Sequence, residues 1–110
     1  MNYNVKSKHD DLIEQLIHDD KYKITKYGKI YSFNRKNGKQ LNSHPCTQGY
    51  DRVYYKGTKI RVHRIVYRKF KGVFQEGMTI HHIDNNRNNN NINNIEQIPH
   101  ELNLELRNYE

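Results

Sequence analysis

The sequence predicts an α+β fold: an N-terminal helix, an antiparallel β-sheet, and then a strand–loop–strand–helix unit. Three observations carry this. Apolar residues near the N-terminus recur at helical spacing. The middle of the chain is made of short β-prone runs separated by glycine turns. The last third places isoleucines on both sides of an asparagine-rich loop, followed by a proline and a polar helix.

The helix is expected over 7–20. Ser7 is placed to cap it, with Asp10 three positions on. Leu12, Ile13, Leu16 and Ile17 share one face, read first as packing on the domain and second as a dimer contact. Residues 21–62 are expected to form strands near 22–25, 29–33, 39–41, 51–56 and 59–62, joined into an antiparallel sheet. Gly28, Asn37–Gly38, Gly49 and Gly57 mark the turns. Residues 62–71 return to helical periodicity, with Ile65, Val66 and Phe70 on one face. A loop spans 72–77. Met78, Ile80 and Ile83 then lead into a loop with eight asparagines between Asp84 and Ile95. Ile92, Ile95 and Ile98 follow it. Asparagine tolerates left-handed backbone and bonds its own backbone in turns, so the run suits an ordered loop better than a disordered tract. Pro99 is expected as the first residue of a helix to about Asn108. Three segments result: an extension over 1–20, the sheet and short helix over 21–71, and the terminal unit over 72–110, together one compact domain.

Composition bounds the function. The 110 residues carry a formal net charge of +7, 19 Lys and Arg against 12 Asp and Glu, and are 34% hydrophobic with nine Tyr and no Trp. A basic excess favours a polyanionic partner. No apolar stretch is long enough to span a bilayer, and MNYNVKSKHD lacks a signal peptide's apolar run. Cys46 stands alone, which excludes a disulfide framework and a cysteine zinc site and points to the cytoplasm. Cations alternate with Tyr along the sheet. Arg35, Lys36, Arg52, Lys56 and Arg61, with Arg64 on the helix and Arg87 in the loop, are the candidate contacts to DNA phosphates.

His81 and His82 end the first strand of the terminal unit, and Asn103, with His100 one turn before it, lies on the helix. Neighbouring strand residues point to opposite faces. The two histidines are therefore expected to share a site only if the strand ends between them, one holding a metal and the other handling a proton. A zinc set of His81, His82, His100 and an acid is the lesser alternative.

HHIDNNRNNNNINNI, with an asparagine eight residues further on, resembles the HNH endonuclease motif: Asp/His-His, a polar loop, Asn with an apolar residue, then a helix bearing Asn or His. The resemblance extends upstream. YKITKYGKIYSF and GYDRVYYKGTKIRVHRIVYRKF resemble modules that accompany HNH sites in phage homing endonucleases, so it covers about residues 21–107. It implies a ββα-metal fold over 72–110. It implies His81 and Asn103 as metal ligands, His82 as general base, Asn94 as the residue pinning the loop, and Asp84 as the acidic residue nearby. It further implies one Mg²⁺ or Mn²⁺ per site, double-stranded DNA as partner, and products with 5′-phosphate and 3′-hydroxyl ends. A monomer or homodimer of phage origin in a bacterial cytoplasm completes the expectation. His81 stands where Asp is common and Asn85 where Gly is frequent. No separate C-terminal DNA-binding module is expected, and so no long recognition site. The rival reading is a basic nucleic-acid-binding module that does not cut; a structural or interaction protein is the third. His63 is expected to pack and hydrogen-bond beneath the site.

Overall fold

The computed structural model describes residues 8–34 and 37–107. Its elements confirm an α+β fold. Helix α1 spans Lys8–Ile17. Strands β1 (Tyr22–Ile24), β2 (Ile30–Ser32) and β3 (Lys39–Gln40) follow, then β4 (Arg52–Tyr55) and β5 (Thr58–Arg61). Helix α2 (Val62–Phe70) leads to β6 (Met78–His82), a single 3-10 turn (Ile92–Asn94), β7 (Ile95–Pro99) and α3 (His100–Arg107). The expected cap, Ser7, lies outside the described residues, as do Arg35 and Lys36. The first helix ends at Ile17, three residues short of expectation. Asp19 beyond it instead accepts from Lys21 N–H and from the Tyr55 hydroxyl at 2.9 Å. Burial, and after it that contact, pushes the Tyr55 phenol up to about 12.

The single predicted sheet is in fact two. β1–β2–β3 form one antiparallel sheet and β4–β5 a separate hairpin. The reason is local. After Leu41 the chain leaves the first sheet, and its 44–50 segment folds back on β4: His44 N–H donates to Arg52 O, and the Arg52 guanidinium donates to the carbonyls of His44 and Pro45. The edge of β4 that would have met β3 is thereby occupied.

One apolar cluster joins these pieces. It takes Leu12, Ile13 and Leu16 from α1, Ile24 and Ile30 from the first sheet, Val53 and Ile60 from the hairpin, Val62, Ile65 and Val66 from α2, and Ile80 and Ile95 from β6–β7. The apolar face of α1 is thus spent inside the core. Two ion pairs bind α1 to α2 as well, Asp10–Arg64 at 2.7 Å and Glu14–Arg68 at 2.5 Å.

β6 and β7 pair antiparallel from Met78↔Pro99 to His82↔Ile95. Pro99 is therefore the last strand residue, and α3 begins at His100. Proline can end a ladder because it gives up only one donor. Four contacts between side chains and backbone N–H groups two residues on organise the loop from Asp84 to Asn93: Asp84 to Asn86, Asn86 to Asn88, Asn89 to Asn91 at a longer 3.4 Å, and Asn91 to Asn93. This succession of Asx turns is the physical reason for the asparagine run. Asn85, at φ 62, takes the left-handed backbone within it.

Candidate active site

The hairpin, its loop and α3 enclose a pocket of about 30 Å³ lined by Tyr50, Ile80, His81, His82, Asn85, Arg87 and Asn103. That volume suits a water or a single ion. The geometry corrects one expectation. β6 runs through both histidines without ending between them. Alternation buries His82 and leaves His81 half-buried, yet the pocket lies at the strand's end and draws lining from both.

His82 is 4% exposed. Its Nε2 lies 2.8 Å from Asn90 Oδ1. An amide oxygen only accepts, so Nε2 carries the proton and the neutral ring keeps an unprotonated Nδ1. Burial, the largest influence, holds its pKa below the usual histidine value; the Asn90 bond and the nearby Asp84 charge oppose this, and His81 and Arg87 add to it. The ring is therefore held in its basic, neutral form near neutrality.

Asn90 was not legible as a special residue. It stands in a run of identical neighbours, and the tertiary fold alone selects it. The β1–β2 turn holds it in place. Ile92 N–H donates to Lys26 O. Gly28, at φ +82, approaches so closely that a Cβ there would sit 2.7 Å from Asn90 Cβ. Only glycine satisfies both the left-handed backbone and the contact.

Asn94 and Asp84 bond each other beside the pocket rather than lining it. Asn94 Nδ2 donates to Asp84 Oδ1 and to Asn89 O, both at 2.9 Å, and Asn94 Oδ1 accepts from Asp84 N–H at 3.1 Å. The Asp84 carboxylate also accepts from Asn89 Nδ2 and Asn86 N–H, and these donors hold it below the ordinary carboxylate range. Asn103, 7% exposed, faces His81 and His82 across the pocket from α3.

A layer of rings lies against His82. His63, from α2, lies 4.9 Å from His82 and stacks on Tyr50 at 5.0 Å. Burial drives its pKa well below the ordinary value, and its Nδ1 has no hydrogen-bond partner. The ring thus packs beneath the site without a hydrogen bond at that nitrogen.

The predicted DNA-contact cations separate into groups. Arg52, Arg61 and Arg64 line a cleft of about 340 Å³ with His9, Cys46, Lys59 and Ile60. Arg64 is engaged with Asp10 and stands over the Phe74 ring. Lys56 donates to Gln15 Oε1 on α1. Arg87 lines the pocket itself. Among the described residues no group of three or more His, Cys, Asp or Glu is arranged to hold a metal ion, so the zinc set with His100 does not form.

Comparison with known proteins agrees with this geometry. A family model described as HNH endonuclease matches residues 61–105. DNA endonuclease I-HmuI of Bacillus phage SP01 is 32% identical over 88 residues, which cover 76% of this chain and 49% of that protein. A solved structure, described as DNA binding and cleavage by the HNH homing endonuclease I-HmuI, superposes with a TM-score of 0.69 at 29% identity, over 82% of this chain and 53% of that one. The chain spans about half the length of the relative it matches. The hairpin, the Asn-rich loop and the trailing helix fall within the stretch that matches the HNH endonuclease model, and the chain as a whole is similar to an HNH homing endonuclease.

Proposed function

We propose that this protein is a divalent-metal-dependent DNA endonuclease that hydrolyses phosphodiester bonds of double-stranded DNA. The observation that carries the reading is the shared pocket: a buried histidine with a free Nδ1, beside an imidazole and a carboxamide able to hold an ion.

His82 Nδ1 takes the proton from a water that attacks the scissile phosphorus, leaving 5′-phosphate and 3′-hydroxyl ends. Such general-base help is worth roughly 10²–10⁴-fold. Asn90 holds the ring in the competent tautomer. Asn94 and Asp84 keep the loop in shape and so fix Asn90 and Asn85. His81 and Asn103 are the residues that would hold the metal. One nitrogen and one amide oxygen, completed by phosphate oxygens and water, fit Mg²⁺ and lean toward Mn²⁺. When bound, the ion supplies stabilisation of the charge that develops at the phosphate and its leaving oxygen. The cleft lined by Arg52, Lys59 and Arg61 takes the DNA backbone. A monomer has one site and nicks one strand; cutting both strands requires a homodimer. The DNA-bearing cytoplasm of a bacterial host is the fitting location. Among the described residues no helix is long and apolar enough to cross a membrane.

Supercoiled plasmid incubated with the protein tests this. Nicked product is expected with Mg²⁺ or Mn²⁺ and not with chelator. His82→Ala should lose at least about 100-fold in cutting while still shifting DNA in a gel. Gel shift without cutting in any metal would select the non-catalytic binding module instead.

A further inference from the structure

The turn from Cys46 to Tyr50 lends Tyr50 to the pocket lining but takes no part in the proton transfer above. It closes by two hydrogen bonds, Cys46 N–H to Tyr50 O and Gly49 N–H to Cys46 O, both 2.9 Å. Gly49 sits at φ +87, a backbone that strains any other residue. The turn presents two groups to two arginines that are far apart in sequence. The Tyr50 ring centroid lies 4.4 Å from Arg61 Cζ and 4.9 Å from Arg87 Cζ. Gln48 engages the same pair: its side-chain oxygen accepts from Arg61 at 2.6 Å and its backbone carbonyl from Arg87.

Two guanidiniums within reach of one ring repel each other, and their separation cannot exceed the sum of those two distances. Neither forms an ion pair among the described residues, whereas Arg64 and Arg68 do. A guanidinium has five N–H donors, and the bonds to Gln48 engage one on each. Such an arrangement is what a shared phosphate requires. Its place is equally specific. Arg87 lines the pocket of His82, and Arg61 lines the basic cleft, so the pair stands where the two meet. The same Tyr50 ring stacks on His63, which lies against His82.

We propose that Tyr50 and Gln48 are positioning residues that hold Arg61 and Arg87 as a two-guanidinium clamp for a DNA phosphate next to the one that is cut. The proposal rests on the nuclease reading, and its test separates the two. Duplex binding is measured by fluorescence anisotropy across salt concentrations in the His82→Ala protein, where DNA stays intact. Tyr50→Leu should weaken binding about tenfold and flatten the slope of log affinity against log salt by about one to two. Tyr50→Phe, which keeps the ring, should retain both. Gln48→Ala, on an exposed turn that tolerates substitution, should give a smaller loss of the same kind, about threefold. Added to Arg61→Ala/Arg87→Ala, neither Tyr50→Leu nor Gln48→Ala should cost anything more.

Equal losses for Phe and Leu at position 50, or full additivity with the arginine changes, would overturn the clamp. A wild-type protein that cuts in no metal while these binding effects persist would remove the nuclease reading and leave the clamp standing.

Discussion

His82 depends on residues that are individually unremarkable in sequence. Its Nε2 needs an acceptor, and the loop supplies Asn90 at 2.8 Å. A group that fixes a catalytic ring without touching substrate is commonly worth tenfold to a hundredfold. Asn90→Ala should therefore reduce cutting by about 10–100-fold with little change in gel-shift affinity. Asn90→Asp keeps an acceptor and should restore much of the rate. Steady cleavage by the alanine variant, scored on supercoiled plasmid, would show that the tautomer is fixed elsewhere. His81, His82, Asn94 and Asn103 could all be picked out by their order along the chain. Asn90 could not: it is one of eight asparagines between Asp84 and Ile95, and nothing local sets it apart until the β1–β2 turn closes on it. Tyr50 and Gln48 escaped for a related reason. Their partners Arg61 and Arg87 lie 13 and 39 residues away from Gln48, and no local period links them.

Elements were more legible than contacts. The apolar stripe of α1, the switch from alternating to helical spacing at α2, and the strand–loop–strand–helix order of the terminal unit all follow from side-chain periodicity. What periodicity does not encode is which strand edges meet. The break between β3 and β4 arises from the folding back of residues 44–50, which no alternation pattern marks. The role of Arg64 was hidden in the same way. Its partner Asp10 lies 54 residues earlier, so a cation that reads as a DNA contact also holds α1 while lining the basic cleft. Helix α1 itself has a testable weight. Ile13 is 0% exposed within the common core, so Ile13→Ala should cost about 2–5 kcal/mol of stability, measured by urea unfolding. A cost near zero would mean that α1 does not share the core with the other elements.

At the scale of the whole molecule, the parts converge on one line. α1 and α2 make the floor on which the β4–β5 hairpin and the terminal unit rest. The hairpin and α2 carry the basic cleft, and the β6–β7 unit with α3 carries the pocket. In the proposed reading, a DNA backbone laid along the cleft would continue toward His82. The core is small, and much of the remaining structure is polar and held by asparagine turns and arginine contacts. That division matches a +7 chain with 34% hydrophobic residues: enough apolar surface to fix the frame, with the rest given to the working face.

The most direct measurement is anomalous diffraction from crystals of the His82→Ala protein with Mn²⁺ and a DNA duplex. The account predicts one Mn²⁺ peak between the His81 imidazole and the Asn103 carboxamide, in contact with a phosphate oxygen, with the vacated position 82 on the side of the attacking water. A Mn²⁺ peak remote from both His81 and Asn103, with DNA bound in the cleft, would contradict it.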